Sequence, residues 1–290
     1  MAQSHLAFWF QGSVSLKWIH SVLLLFAFSA APAVSQAEGV FSAFLKNHAV
    51  EHKSLGKNGS MSLHIFDDYQ VVEIFLRSEA VNMSVHEILA KDVSESAYQS
   101  IINPETLVVV NGGFFGYSRS GNETPIGLVR ASGVRRTALM PWSYGGVLVS
   151  DKQGQVKIIP ANNATQAGGW SEAVQSKPII VFKGKVDVNK NLHDAPFNRV
   201  AIGVTYAGDI LIVGIFQQFG EAATILESAE IYKKIADRRA LKILRALAMD
   251  GGSGAQILLP KSGLSFGDTG LSYFPNAVRF DQRLALGASE

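Results

Sequence analysis

Two short stretches of the chain carry the same arrangement of residue types. From Ala246 it reads ALAMDGGSGAQILLP: an apolar run, one acid at Asp250, then Gly-Gly-Ser-Gly, then apolar residues again. From Leu107 it reads LVVVNGGFFGY, with Asn111 closing the apolar run and Gly112 and Gly113 directly after it. A strand that stops at such a residue places its side chain at the rim of a sheet. Glycines behind it expose backbone N–H groups and permit close approach, and a concave set of N–H groups suits an anion, phosphate above all. The pattern predicts that the two corners converge on one anion-accepting pocket. Taken singly, each also fits an ordinary Gly turn between strands.

Other chemistries fit these residues poorly. A G-x-S-x-G nucleophile elbow around Ser253 would need glycine at 255, which is Ala255, and all seven histidines precede Ser253, the last being His193. No Gly-Lys-Ser/Thr follows the glycines, so a phosphate-binding P-loop is excluded. An apolar strand, rather than a helix, follows Asp250-Gly-Gly, which argues against a dinucleotide fingerprint. There is no H-x-H or H-E-x-x-H, so neither a dedicated zinc site nor a cofactor is indicated. A hard cation held by Asp250 and carbonyls stays open.

Strands and turns must position these corners. Ser62 to Phe66 and Gln70 to Leu76 read as strands around an Asp67-Asp68 hairpin turn. SVHEILAKD reads as a short helix with Ser84 as N-cap and Glu87 completing a capping box. TLVVVNGGFF is a buried strand ending at the Gly pair. TPIGLVRASGVRR gives a turn, a short strand and a second turn at Ser132-Gly133. GGVLVSDKQGQVKII, QSKPIIVFKGKV and RVAIGVTYAGDILIVGIF each read as hairpins. One long helix is predicted over about 225–240, with Thr224 and Glu227 as its capping box. LRALAM and AQILLP return to strand. Many β segments, one main helix and no repeat give an α+β domain, a single domain over 61–290 with a largely antiparallel or mixed sheet.

Residues 1–37 are set aside first. Lys17 is their only charged side chain, Val22 to Ala31 form a short apolar block, and small residues at Ser35 and Ala37 match a secretory cleavage site. The block is too short and too serine-interrupted for a membrane span. A signal peptide over 1–37 and a polar linker over 38–60 are therefore expected, with a retained anchor as the alternative. Of the 290 residues 253 then remain, with net charge about +1, because Lys17 is removed from 26 basic residues against 24 acidic. That is no footprint for nucleic acid. The chain has no cysteine, which excludes disulfides, thiolate metal sites and a cysteine nucleophile.

Five blocks, VVVNGGFF, TPIGLVRASG, QSKPIIVFKGKV, NRVAIGV and LAMDGGSG, stand in an order that resembles the phosphodiester glycosidase family, in particular its bacterial, exopolysaccharide-associated branch. The resemblance covers roughly residues 60–285. Two departures stand out: Ser253 comes directly after the second glycine where the family usually has D-G-G-G-S or D-G-G-x-S, and Val200 replaces the Thr of an R-T-A-x-G block. The resemblance implies a pocket where the N-G-G and D-G-G turns meet, and hydrolysis of a sugar-1-phosphodiester at the anomeric carbon.

That chemistry would assign roles as follows. Asp250 stabilises an oxocarbenium-like sugar or activates water. Glu123 is the second carboxylate, and Asn111 orients a sugar hydroxyl or a phosphate oxygen. Arg199 grips phosphate oxygens bidentately, helped by the N–H groups of Gly112, Gly113, Gly251, Gly252 and Ser253. The plain alternatives are that Arg199 pairs with a surface acid, that Glu123 is a solvated loop residue, and that Asn111 caps its own turn. His64 and His86 are further proton-carrier candidates, set against structural roles in a strand and in a solvent-facing helix. The expected partner is a glycosyl-phosphate or polysaccharide, met by a secreted or periplasmic enzyme. The competing class is a non-catalytic carbohydrate- or phosphate-binding protein on the same scaffold.

Overall fold

The structure, a computed structural model, describes residues 39–47, 50–88, 99–121, 123–191, 194–218, 220–267 and 275–284. The expected signal peptide lies outside these residues. The largest sheet has eight strands in the order β1 (Val50–Ser54), β2 (Gly59–Phe66), β3 (Tyr69–Leu76), β16 (Ile210–Gln217), β15 (Arg199–Thr205), β17 (Ile243–Ala248), β13 (Ile179–Phe182) and β14 (Lys185–Val186). A five-stranded sheet runs β19 (Leu264–Gly267), β18 (Gln256–Leu259), β5 (Thr106–Asn111), β20 (Asn276–Gln282) and β4 (Val81–Glu87). A second five-stranded sheet runs β11 (Val156–Pro160), β10 (Gly146–Ser150), β12 (Glu172–Ser176), β8 (Val129–Ala131) and β9 (Val134–Arg135). The hairpin β6 (Phe115–Tyr117) and β7 (Glu123–Pro125) stands alone. Adjacent strands pair antiparallel, for example Ala201 opposite Ala248 and Val110 opposite Val278.

Both faces of the large sheet are covered, which explains its unbroken apolar runs. In β16, Ile210 and Ile212 enter the core shared with the five-stranded sheets, whereas Leu211, Val213 and Ile215 face the long helix. Leu247 of β17 joins the first core, and Ala246 and Ala248 join the second. The long helix, Ile225–Arg238, starts at Thr224. Its hydroxyl accepts from Glu227 N at 3.2 Å, and the Glu227 carboxylate accepts from Thr224 N at 3.0 Å. The two-sided capping box and the α+β class thus agree with the expectation.

Three expectations need correction. Residues 38–60 are part of the domain: Val40–Lys46 is a helix that buries Val40 and Phe44 against the long helix's core, and β1 pairs along its whole length with β2. The SVHE segment is strand, since Val81, Met83 and Val85 are buried at every second position and β4 pairs with β20 from Val81 opposite Gln282 to Glu87 opposite Asn276. A two-residue apolar period outweighs a local capping-box pattern. The rest of that expected helix, residues 89–98, lies outside the described residues. Finally, Thr124 and Pro125 form strand β7 rather than a turn.

Candidate active site

β17 and β5 belong to different sheets, yet their C-terminal corners touch. Asp250 N donates to the carbonyl of Gly112 at 3.1 Å, and Asn111 Nδ2 donates to the carbonyl of Asp250 at 2.8 Å. Asn111 Oδ1 also accepts from Gln256 N at 3.1 Å. Asn111 is fully buried, so its amide holds the 250–256 turn in place at both ends and is engaged by the protein rather than by a substrate. This corrects the role expected for it. The side chain does cap a turn, but the partner turn belongs to the other corner.

The glycines after Asn111 have a different task from the expected one. Gly112 N donates to the carbonyl of Asn276 at 2.8 Å, and Gly113 N to Asn276 Oδ1 at 2.7 Å. A Cβ on Gly113 would fall 2.1 Å from the carbonyl oxygen of Gln175, and one on Gly112 would fall 1.7 Å from Asn276 Oδ1. These two positions are glycine because strands crowd against them. At the second corner, Gly252 N donates to the carbonyl of Asn198 at 2.9 Å, and Gly251 N to Asp250 Oδ1 at 3.0 Å. Four of the five N–H groups expected in an anion cradle are therefore engaged within the protein. Of the five, Ser253 N–H remains, on an exposed turn.

Asp250 carries the carboxyl of this corner. Its residue is only 9% exposed, and burial pushes its carboxyl up to about 6 against the opposing pull of the Gly251 N–H and the Arg199 guanidinium. Such a value places a carboxylate where it can exchange protons near neutral pH. Arg199 stands behind Gly251: a Cβ there would lie 3.2 Å from Arg199 Nη1. Arg199 Nε donates to the carbonyl of Ala223 at 3.0 Å, and Nη2 to Asp194 at 2.6 Å and to the carbonyl of Ala195 at 3.0 Å. Burial lowers the guanidinium pKa, and Asp194 and Asp250 oppose that shift. Nη1 is the guanidinium nitrogen that faces Gly251.

Asp250 opens into a cleft of about 1210 Å³, walled by Phe114 and Phe115, the β2–β3 turn, Phe197 and Asn198, residues 216–218, and Gly220 and Glu221. Asp67, Asp68 and Glu221 join Asp250 in this wall, and among the described residues no Lys, Arg or His lines it. The lining of the hollow is thus acidic and aromatic; Arg199 stands behind the D-G-G turn, and Lys177 Nζ lies 5.6 Å from the ring centre of Phe114. Glu123 is not part of the wall. It sits on β7, where Tyr117 donates to Oε1 at 3.2 Å, so the carboxylates that accompany Asp250 are others. His64 and His86 are likewise elsewhere. Buried His64 meets Glu73 at 3.4 Å, and His86 meets Ser84 at 3.0 Å on β4, with burial and Arg279 holding its ring down at about 4. Among the described residues no three His, Asp or Glu side chains are grouped to hold a metal ion.

A sequence model of the phosphodiester glycosidase family matches residues 104–278, more than half of the chain and all of both corners. The chain belongs to the phosphodiester glycosidase family. No curated protein matches it significantly. Solved structures share the fold. A hypothetical protein from Synechocystis superposes with a TM-score of 0.57 at 12% identity, over 81% of this chain and 64% of that one. This chain therefore spans less than two thirds of that protein. The zebrafish N-acetylglucosamine-1-phosphodiester alpha-N-acetylglucosaminidase catalytic domain, auto-inhibited by its pro-peptide, gives a TM-score of 0.52 at 12% identity, covering 81% of this chain and 82% of that one. A candidate exported protein of Burkholderia pseudomallei gives 0.51 at 13% identity, over 77% and 74% of the two chains. Among the described residues no helix is long and apolar enough to cross a membrane.

In this member of the phosphodiester glycosidase family the sequence reading overlooked Asn276 and Asn198. Asn276 is fully buried at the start of β20 and clasps Gly112 and Gly113, also donating to the Gly113 carbonyl at 3.1 Å. Asn198 ties the cleft wall to the D-G-G turn: Oδ1 accepts from Gln217 N at 2.9 Å while its carbonyl accepts from Gly252 N. A buried Asn directly before Arg199 was visible in NRVAIGV, but nothing local marks its partners.

Proposed function

We propose that this chain hydrolyses a glycosyl-phosphodiester bond, with Asp250 as the general base and Arg199 as the phosphate anchor. The observation that carries the reading is the buried Asp250 carboxyl in the cleft wall, raised to about 6 against the opposing charge of the Arg199 guanidinium that stands behind Gly251. Above that pH Asp250 is ionised and removes a proton from water as the water oxygen bonds to the anomeric carbon. The bond from that carbon to the phosphate oxygen breaks, and the phosphate leaves as an anion toward Arg199 Nη1 and Ser253 N–H. Phosphate is a good leaving group and needs little protonation, so electrostatic stabilisation does most of the work. The acidic and aromatic remainder of the cleft suits the sugar, whose hydroxyls donate to Asp67, Asp68 and Glu221 and whose apolar face meets Phe115 or Phe197. Residues 1–37 support an exported protein, and an envelope or extracellular polysaccharide is the context that fits such a substrate.

The second reading is a glycan-binding protein without turnover, favoured by the four backbone N–H groups that the protein itself occupies. A panel of UDP-linked and methylphospho-linked sugars separates the two. Turnover that Asp250→Asn reduces at least a hundredfold, within the range of one general base, supports the enzyme. Saturable binding with no turnover on any member supports the binding protein.

A further inference from the structure

A second concavity lies at the far end of the same strands. Arg245 precedes Asp250 by five residues along β17, a rise of about 16 Å. The groove there has a volume of about 300 Å³ and is bounded by β11, the β15–β16 turn at Tyr206 to Gly208, and Arg245. That volume is at the lower end of small-ligand sites. Its charge is opposite to that of the Asp250 cleft: Lys157 and Arg245 line it, and no Asp or Glu does among the described residues.

Neither cation has an ion-pair partner among the described residues. Lys157 is exposed and lies 5.4 Å from the centre of the Trp170 ring. Arg245 packs 5.2 Å from the Phe182 ring; Nη1 donates to the carbonyl of Ile158 at 3.2 Å, and Nε is buried without an acceptor. A guanidinium held partly out of water with one hydrogen bond and no counter-charge is undercompensated. Its pKa is lowered by burial accordingly, and Tyr206 is the group that opposes the shift. Tyr206, 61% exposed, adds an aromatic face and a hydroxyl at the mouth, and Asn163 adds an amide. β11 is a sheet edge, but Arg245 occupies the Ile158 carbonyl on it, which opposes pairing with an added strand.

We propose that this groove is a second binding site, for a sugar unit that carries a carboxylate or a phosphate. The anion meets Lys157 and Arg245 Nη2, and the sugar ring packs on Tyr206. The site is independent of the reaction assigned to Asp250. Equilibrium titration of the full chain at low salt with glucuronate, glucose 6-phosphate, inorganic phosphate and neutral methyl glucoside tests it. Saturable binding of the two anionic sugars, with methyl glucoside inert, is expected. Lys157→Gln and Tyr206→Ala should each weaken binding about tenfold, the loss of roughly one charge-assisted or stacking contact, while Arg199→Gln leaves it unchanged. Binding lost in Arg199→Gln but kept in Lys157→Gln and Tyr206→Ala would assign the anions to the Asp250 cleft and overturn the proposal. Absence of saturable binding overturns it as well. Inorganic phosphate binding as tightly as glucose 6-phosphate would refute the sugar component.

Discussion

Asn111 and Asp250 are 139 residues apart, and the side-chain amide of the first donates to the main-chain carbonyl of the second at 2.8 Å. Asn111 presents a donor on one side and, through Oδ1, an acceptor to Gln256 N on the other. Asn111→Asp keeps the shape but replaces the donor with an oxygen facing the Asp250 carbonyl. Denaturant unfolding should show a loss of about 2–4 kcal/mol for this variant, since buried polar groups lose their partners. Turnover should fall with it. A variant as stable as the parent would mean that the amide does not fasten the corner.

Asp250→Asn should be less active and more stable. Burial pushes the native carboxyl up to about 6 from the ordinary 3.8. Below pH 3.8 both folded and unfolded states hold the proton and the group is neutral in its effect. As pH rises toward 6 the unfolded state loses the proton first, so the native state is progressively penalised, by about 3 kcal/mol once pH exceeds 6. Asparagine carries no such penalty. Thermal melts at pH 8 should therefore show the variant above the parent, with the two curves converging near pH 4. Parallel curves at all pH values would contradict the raised carboxyl.

The acid limb of kcat/KM should fall near pH 6 for the parent, because the ionised Asp250 is the active form. Arg199 holds that carboxyl down. Arg199→Gln should move the limb to higher pH as well as raise KM, whereas a merely structural arginine would change the amplitude and leave the limb where it is. The comparison requires only pH–rate profiles of the two proteins on one substrate.

His86 contributes a slope of the opposite sign. Its folded value of about 4 lies below the ordinary 6.5, because burial and Arg279 disfavour the imidazolium. The unfolded state takes up the proton first as pH falls from 6.5 toward 4, so stability is lost over that window. In the parent this loss is offset by Asp250, whose penalty fades over nearly the same range. Asp250→Asn should unmask it: stability of the variant should drop more steeply between pH 6.5 and 4 than that of the parent. Adding His86→Gln should flatten the curve again.

The backbone architecture was largely readable from local pattern. Apolar runs that ended at Asp67, Lys183 and Gly208 marked strands because hairpins leave turn residues at fixed places, and Thr224 with Glu227 marked the long helix from two side chains three residues apart. Failures came where two local signals competed, as at Ser84 to Glu87, or where a short amphipathic segment such as Val40–Lys46 acquires its value only from a distant surface to bury against. β20, with Asn276 at its head, carried no turn signal strong enough to announce it.

By itself, the sequence determined that apolar strands run up to Asn111 and Asp250, that a pair of glycines follows each, and that the chain belongs with the phosphodiester glycosidases. Tertiary structure decided what each group does there. Hydrogen bonds join atoms far apart along the chain, so only the packed sheets could show that Asn276 takes the Gly112 and Gly113 N–H groups. Only they could show that Asp68 and Glu221, rather than Glu123, share the cleft with Asp250. A carboxyl's proton affinity is likewise a property of its surroundings. Burial raised that of Asp250, and burial is settled by which surfaces meet.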